Sequence, residues 1–221
     1  MKQTLKTIGF QFSLGILLCA SALTSTAQNT GPLSTIYLQT GAGGGTNKSN
    51  DFDLGLKTIF DNKWSMTLSY KNLEMRPKNL PSDYQPETGY LFFIPYTYEV
   101  TTDMSLVSLT AGKYFKLGKN FWATTEGGLS YVKGEKVNFD RTQSISSSII
   151  IANTTTSNYN ITKENRSTLG AMFQADVNWA FASFMGLGAG VYANVNSIQS
   201  PVGFNVKLLI GKMGREKKHK P

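Results

Sequence analysis

Along most of this chain, apolar and polar residues alternate with a period of two. The clearest case is the hairpin Phe184–Met213. Its first arm sets Met185, Leu187, Ala189, Val191, Ala193 and Val195 on one face, and Gly186, Gly188, Gly190, Tyr192, Asn194 and Asn196 on the other. After Ser197–Pro201 the second arm repeats the contrast: Val202, Phe204, Val206, Leu208 and Ile210 against Gly203, Asn205, Lys207, Leu209 and Gly211. Only Leu209 breaks it. Such alternation predicts β-strands whose two faces meet different surroundings. A run of about ten residues is also what a tilted strand needs to cross a bilayer. A small, glycine-rich polar face suits the lumen of a narrow membrane barrel, and the apolar face suits lipid.

The same pattern predicts strands at Leu33–Thr40, Asp51–Phe60, Trp64–Leu73, Met104–Lys116, Asn120–Lys133 and Arg166–Phe181. With the closing hairpin there are eight, an even number that lets an up-and-down barrel close with both termini on one side. Short connections at Asp61–Lys63, Leu117–Lys119 and Ala182–Ser183 alternate with longer ones at Gly41–Asn50, Glu74–Asp103, Gly134–Asn165 and Ser197–Pro201. Short turns at one end and longer loops at the other are the mark of outer-membrane barrels. Gly41–Asn50 (GAGGGTNKSN) reads as a flexible external loop. A phosphate cradle would need a following GK[ST] and a helix, and neither is present.

Two long loops break the alternation. Glu74–Asp103 carries Pro77, Pro81, Pro86 and Pro95 with Tyr84, Tyr90, Phe92, Phe93, Tyr96 and Tyr98. Clustered surface aromatics mark a candidate interaction site. Alternatively, Gly89–Val100 extends the fourth strand upward, its aromatics forming the outer girdle or packing on Ile149–Ile151. Gly134–Asn165 is rich in Ser, Thr and Asn and is expected to hold a hairpin rising above the barrel.

Composition narrows the chemistry. The chain has 221 residues, a mean hydropathy of −0.20 and a net charge of +8. Met1–Ala27 reads as a secretory signal: Lys2 and Lys6, an apolar core over Ile8–Leu23, then Ser25-Thr26-Ala27. The only cysteine, Cys19, lies inside it, so the expected mature chain has no disulfide. The only histidine, His219, lies among the lysines of the basic tail Gly214–Pro221, which argues against a His-dependent nucleophile or a His/Cys metal site. Asp83, Glu87 and Asp103 are not spaced as a calcium loop. The tail has no interleaved aromatics, so nucleic-acid binding is not expected. No catalytic, cofactor or metal residues are assigned.

What remains is charge on the polar face. Asp53, Lys57, Lys71, Glu126, Asp176 and Lys207 all fall on inward positions. An eight-stranded barrel is just wide enough to be filled by side chains, so these are expected to form an ion-paired plug. A small gated pore is the functional alternative. A secreted, soluble barrel of lipocalin type is another: Leu187, Val191, Phe204 and Leu208 would then line a cavity for an apolar ligand, and Lys57, Glu126 and Asp176 would face water.

On the signal, the eight alternating strands and the short–long rhythm, the chain resembles the OmpA/OmpX-like family of small outer-membrane β-barrel proteins of Gram-negative bacteria. The resemblance spans the whole expected mature chain, residues 28–221, and is architectural. It implies an all-β fold, an eight-stranded antiparallel up-and-down transmembrane β-barrel, located in the cell outer membrane. It also implies a non-enzymatic structural or surface role, with outer-membrane lipid around the wall and a surface protein or glycan as the partner its external loops would meet. In two respects the chain departs from the pattern. The last strand ends near Met213 and is followed by a polar tail rather than ending on an aromatic residue, and residues 214–221 are too few for an OmpA-type peptidoglycan-binding domain.

Overall fold

The computed structural model describes residues 33–213 apart from 92–93, 143–145, 150–151 and 156; the expected signal, the tail and Ile150–Ile151 lie outside the described residues. In chain order the strands are β1 (Leu33–Gly45), β2 (Ser49–Phe60), β3 (Trp64–Met75), β4 (Glu87–Leu91), β5 (Ile94–Tyr98), β6 (Thr102–Lys116), β7 (Phe121–Arg141), β8 (Ser146–Ile149), β9 (Ala152–Thr155), β10 (Tyr159–Ala180), β11 (Met185–Val195) and β12 (Val202–Lys212). Eight of them close a barrel in the order β1-β12-β11-β10-β7-β6-β3-β2. The other four form a second sheet, β5-β4-β9-β8, drawn wholly from the two long connections.

The alternation explains the wall. In β2, Asp51, Asp53, Lys57 and Ile59 are buried inside, while Phe52 faces out. In β3, Ser65, Thr67, Ser69 and Lys71 are buried, while Trp64, Met66 and Leu68 are exposed outside. The closing hairpin follows suit, with Tyr192, Asn194, Asn205 and Lys207 inside and Val191, Phe204 and Val206 outside. An exterior of Leu, Val and Phe exposes a band of apolar surface that water would oppose and lipid does not. The lipocalin assignment needs the opposite orientation: Leu187, Val191 and Phe204 face outward, and Lys57, Glu126 and Asp176 are buried.

Two expectations about the barrel wall need correction. Gly41–Asn50 is not an open loop. Gly41 to Gly45 continue β1, paired with Lys207 to Gly203 of β12, and only Thr46–Lys48 forms a short 3-10 turn. The glycines serve close approach: a Cβ on Gly43 would overlap the Phe204 carbonyl oxygen and crowd the Asp51 carboxylate. The four connections at that end are therefore less regular in length than the alternation suggested. Second, β7 and β10 run far past the expected strands and pair continuously, from Trp179↔Phe121 to Tyr159↔Arg141. At the opposite end the β2–β3 turn holds Asp61 (φ 50°) and Asn62 (φ 52°), with Lys63 N–H bonded to the Phe60 carbonyl at 2.9 Å. Asp and Asn tolerate this left-handed backbone better than most residues.

Candidate functional site

The lumen is filled in layers. At the short-turn end, Tyr37, Ile59, Trp122, Ala180, Leu209 and Met213 form one buried apolar cluster. At the loop end, Leu73, Met75, Met104, Leu106, Val132, Met172 and Tyr192 form another. Leu209, the one break in the polar face of the closing hairpin, is wholly buried in the first of these layers.

Between them lie the six inward charges. Lys57 Nζ bonds Asp176 at 2.7 Å and Glu126 at 3.2 Å. Lys207 Nζ bonds the other Asp176 oxygen at 2.7 Å and reaches Asp53 at 3.6 Å. Asp53 meets Lys71 Nζ at 2.8 Å. The six thus form one chain of alternating sign: Glu126, Lys57, Asp176, Lys207, Asp53, Lys71. Neutral donors and acceptors add to it. Lys57 also donates to Thr124 Oγ1 at 2.9 Å, Thr110 Oγ1 donates to Glu126 at 2.8 Å, and Asn205 Nδ2 donates to Asp53 at 3.0 Å. Lys71 Nζ lies 4.4 Å from the Tyr192 ring centroid, which couples the charged layer to the apolar one above it. These strands are far apart in sequence, and the barrel brings their alternate residues to one axis. Along this chain the desolvation cost of each ion is offset by a bonded partner of opposite sign.

Asp51 joins this interior, buried beside the charged layer. Reading Gly41–Asn50 as a loop placed Asp51 at the barrel mouth, which is why sequence reasoning missed it. The apolar layers were also missed, although Ile59, Leu73, Leu106 and Leu209 all occupy inward parity.

The second region lies at the loop end. Tyr84 packs edge-on to Phe139 (5.9 Å between centroids), and Phe139 packs edge-on to Tyr159 (6.1 Å). Tyr159 Oη donates to Asp83 Oδ1 at 2.7 Å, Arg141 meets Asp83 Oδ2 at 3.2 Å, and Asn158 Nδ2 donates to the Asp83 carbonyl at 2.8 Å. Asn79 Nδ2 donates to the Val137 carbonyl at 2.7 Å. The segment after β3 is thus strapped to the long β7–β10 pair. The Tyr159 hydroxyl holds the Asp83 carboxyl below the usual carboxylate range, and the same bond raises Tyr159. Burial raises Tyr84.

Of the loop aromatics, Tyr84 is therefore packed into the strap. Ile94, Tyr96 and Tyr98 of β5 are exposed. Phe92 and Phe93 lie outside the described residues, and Tyr90 is described only by its place in β4, opposite Pro95. The aromatic stretch does not extend β6 upward; it forms the β4–β5 hairpin, and β4 pairs with β9 through Thr88↔Thr155 and Gly89↔Thr154.

Together the apolar exterior, the filled interior and the eight-stranded closure define a small transmembrane β-barrel. Solved structures of similar architecture include Ail, the attachment invasion locus protein of Yersinia pestis, at 12% identity and a TM-score of 0.43, over 81% of this chain and 95% of that one. The N-terminal β-barrel domain of Pseudomonas aeruginosa OprF aligns at 10% identity and 0.46, over 80% and 97%. A de novo designed transmembrane β-barrel aligns at 8% and 0.45, over 80% and 95%. The likeness is one of fold. No family model and no curated protein sequence matches the chain.

Proposed function

We propose that this is a non-enzymatic barrel of the cell outer membrane that presents an interaction surface at its loop end. The observation that carries the reading is the second sheet. A barrel needs only short connections to close, yet two long ones meet here to build four extra strands. Every residue of β5 is exposed, including Ile94, Tyr96 and Tyr98. Acids and bases are equal in number in the strand ends and loops on this side, so contact through aromatic and apolar groups is favoured over bulk ionic attraction. Aromatics offer area at low entropic cost and suit a surface protein or the face of a glycan ring.

Excising residues 87–98 and joining the ends with a short Gly/Ser link tests this. The strap through Asp83 lies outside the cut, so the barrel is expected to keep its heat-modifiable migration on gels. Adhesion of cells displaying the protein to host or neighbouring surfaces is expected to fall. Unchanged adhesion with a folded barrel overturns the proposal.

A further inference from the structure

Among the described residues the net positive charge is not spread evenly; it is concentrated at one end of the barrel. In the lumen, Asp51, Asp53, Glu126 and Asp176 slightly outnumber Lys57, Lys71 and Lys207. At the loop end the two signs cancel. At the short-turn end the described residues hold Lys63, Lys113, Lys116, Lys119 and Lys212 against one acid, Asp61.

The lysines at this rim lie among membrane-boundary aromatics. Lys113 occupies the outward face of β6 opposite Trp64, and its Nζ lies 3.4 Å from the Trp64 ring centroid. Lys212 is exposed at outward parity, two residues beyond Ile210. Phe115 and Phe121 are exposed at the same level, and Phe121 stacks on Trp179 at 5.8 Å. Aromatic rings at the edge of an apolar band mark the depth where lipid headgroups begin. An ammonium held over such a ring sits at headgroup depth, with its stem along the apolar surface.

We propose that this rim is a binding surface for anionic phospholipid headgroups of the leaflet at the short-turn end, centred on Lys63, Lys113, Lys119 and Lys212. The reading rests on the transmembrane assignment and adds the chemistry of the lipid. A phosphodiester fits because lysine binds phosphate as a point charge and needs no bidentate geometry. A soluble polyanion would be met by lysines pointing away from the wall. Lys113 and Lys212 instead lie on the wall's outer face. The arc from β12 through β1, β2, β3 and β6 carries these lysines. The remaining arc carries Trp179, Phe181 and Phe184 without charge, so one side of the rim is expected to gather anionic lipid and the other not.

The test uses residues 28–221 with Trp179→Phe, refolded into phosphatidylcholine vesicles. Trp64 then reports on the rim, since Trp122 is buried in the lumen. Fluorescence quenching by brominated phosphatidylglycerol is compared with quenching by brominated phosphatidylcholine. A preference for the anionic lipid of roughly fivefold or more is expected. It should fall toward one in Lys63→Gln/Lys113→Gln/Lys119→Gln, survive in the corresponding arginine variant, and weaken in the unsubstituted rim at roughly 0.5 M salt, where screening shortens to a few Å. Equal quenching by the two lipids in a heat-modifiable, inserted protein overturns the proposal and leaves the barrel assignment standing. Failure to insert overturns both. Lysine-dependent capture of soluble peptidoglycan fragments without lipid preference makes the rim a polymer interface and also overturns the proposal.

Discussion

Two charged clusters of the protein, one in the lumen and one at the loop end, differ in what surrounds them. In the lumen, Lys57 and Asp176 are shielded completely by apolar layers above and below. At the loop end, the side chains of Asp83 and Arg141 meet at 3.2 Å yet remain 49% and 77% exposed. The chemistry of the pairs is the same, and water decides their worth. An exposed pair trades one set of hydrogen bonds for another and is screened by salt, so the Asp83 cluster holds its strap mainly through packing of Tyr84, Phe139 and Tyr159. A buried ion has no such alternative, so the lumen tolerates its charges only as a complete set.

Breaking the buried set should give the largest effect. Lys57→Met leaves Asp176 and Glu126 short of their shared cation and is expected to destabilise the folded barrel by about 3–5 kcal/mol. Urea unfolding in lipid vesicles measures it. Adding Glu126→Gln to the same chain should recover part of the loss, because one stranded charge is removed. A loss no larger than that of an exposed pair would mean that water reaches the lumen.

A charge without a partner sharpens the contrast from outside. Val206→Arg on the exposed outer face of β12 should cost about 2–4 kcal/mol near mid-bilayer, and Val202→Arg, at the loop-end boundary, about 0–1 kcal/mol. The reverse order in the same unfolding assay would place the lipid band elsewhere on the wall.

Arg141→Met removes the exposed pair and should leave the unfolding midpoint unchanged within error, with a folded, heat-modifiable barrel. A measurable loss would show that the strap depends on its ions.

The smallest effect is in pH. The carboxyl of Asp83 is held below its ordinary range in the folded strap, so its contribution is present above the unfolded carboxylate pKa and is lost as pH falls through the lowered folded value. Tyr159→Phe should return Asp83 toward the ordinary range in a carbon-detected NMR titration. An unmoved titration would place the cause elsewhere than in the Tyr159 hydroxyl.

Strands with unlike faces were legible in the sequence because lipid and lumen select opposite residues. The outward Val202–Ile210 series and the inward Asp53, Lys57 and Asp176 were therefore assigned by parity alone. Strands with two wet faces carry no such contrast. Thr162 to Asn165 of β10 are polar on both sides, so the sequence offered a hairpin somewhere within Gly134–Asn165 but neither its strand bounds nor its faces. The glycines of β1 misled for a related reason. They read as flexibility, whereas Gly43 is required because β12 passes too close for a side chain.

By itself, then, the sequence determined that the chain is β, how many strands close the wall and which face of each meets lipid, because these follow from a local period of two. Only the tertiary structure decided which of the inward charges pair with which. Lys57 and Asp176 are 119 residues apart, and no local pattern encodes a meeting that depends on the stagger of β2 against β10 around a closed barrel. It also decided that the two long connections share a sheet, since Thr88 and Thr155 find each other only after the wall has brought their loops to the same end.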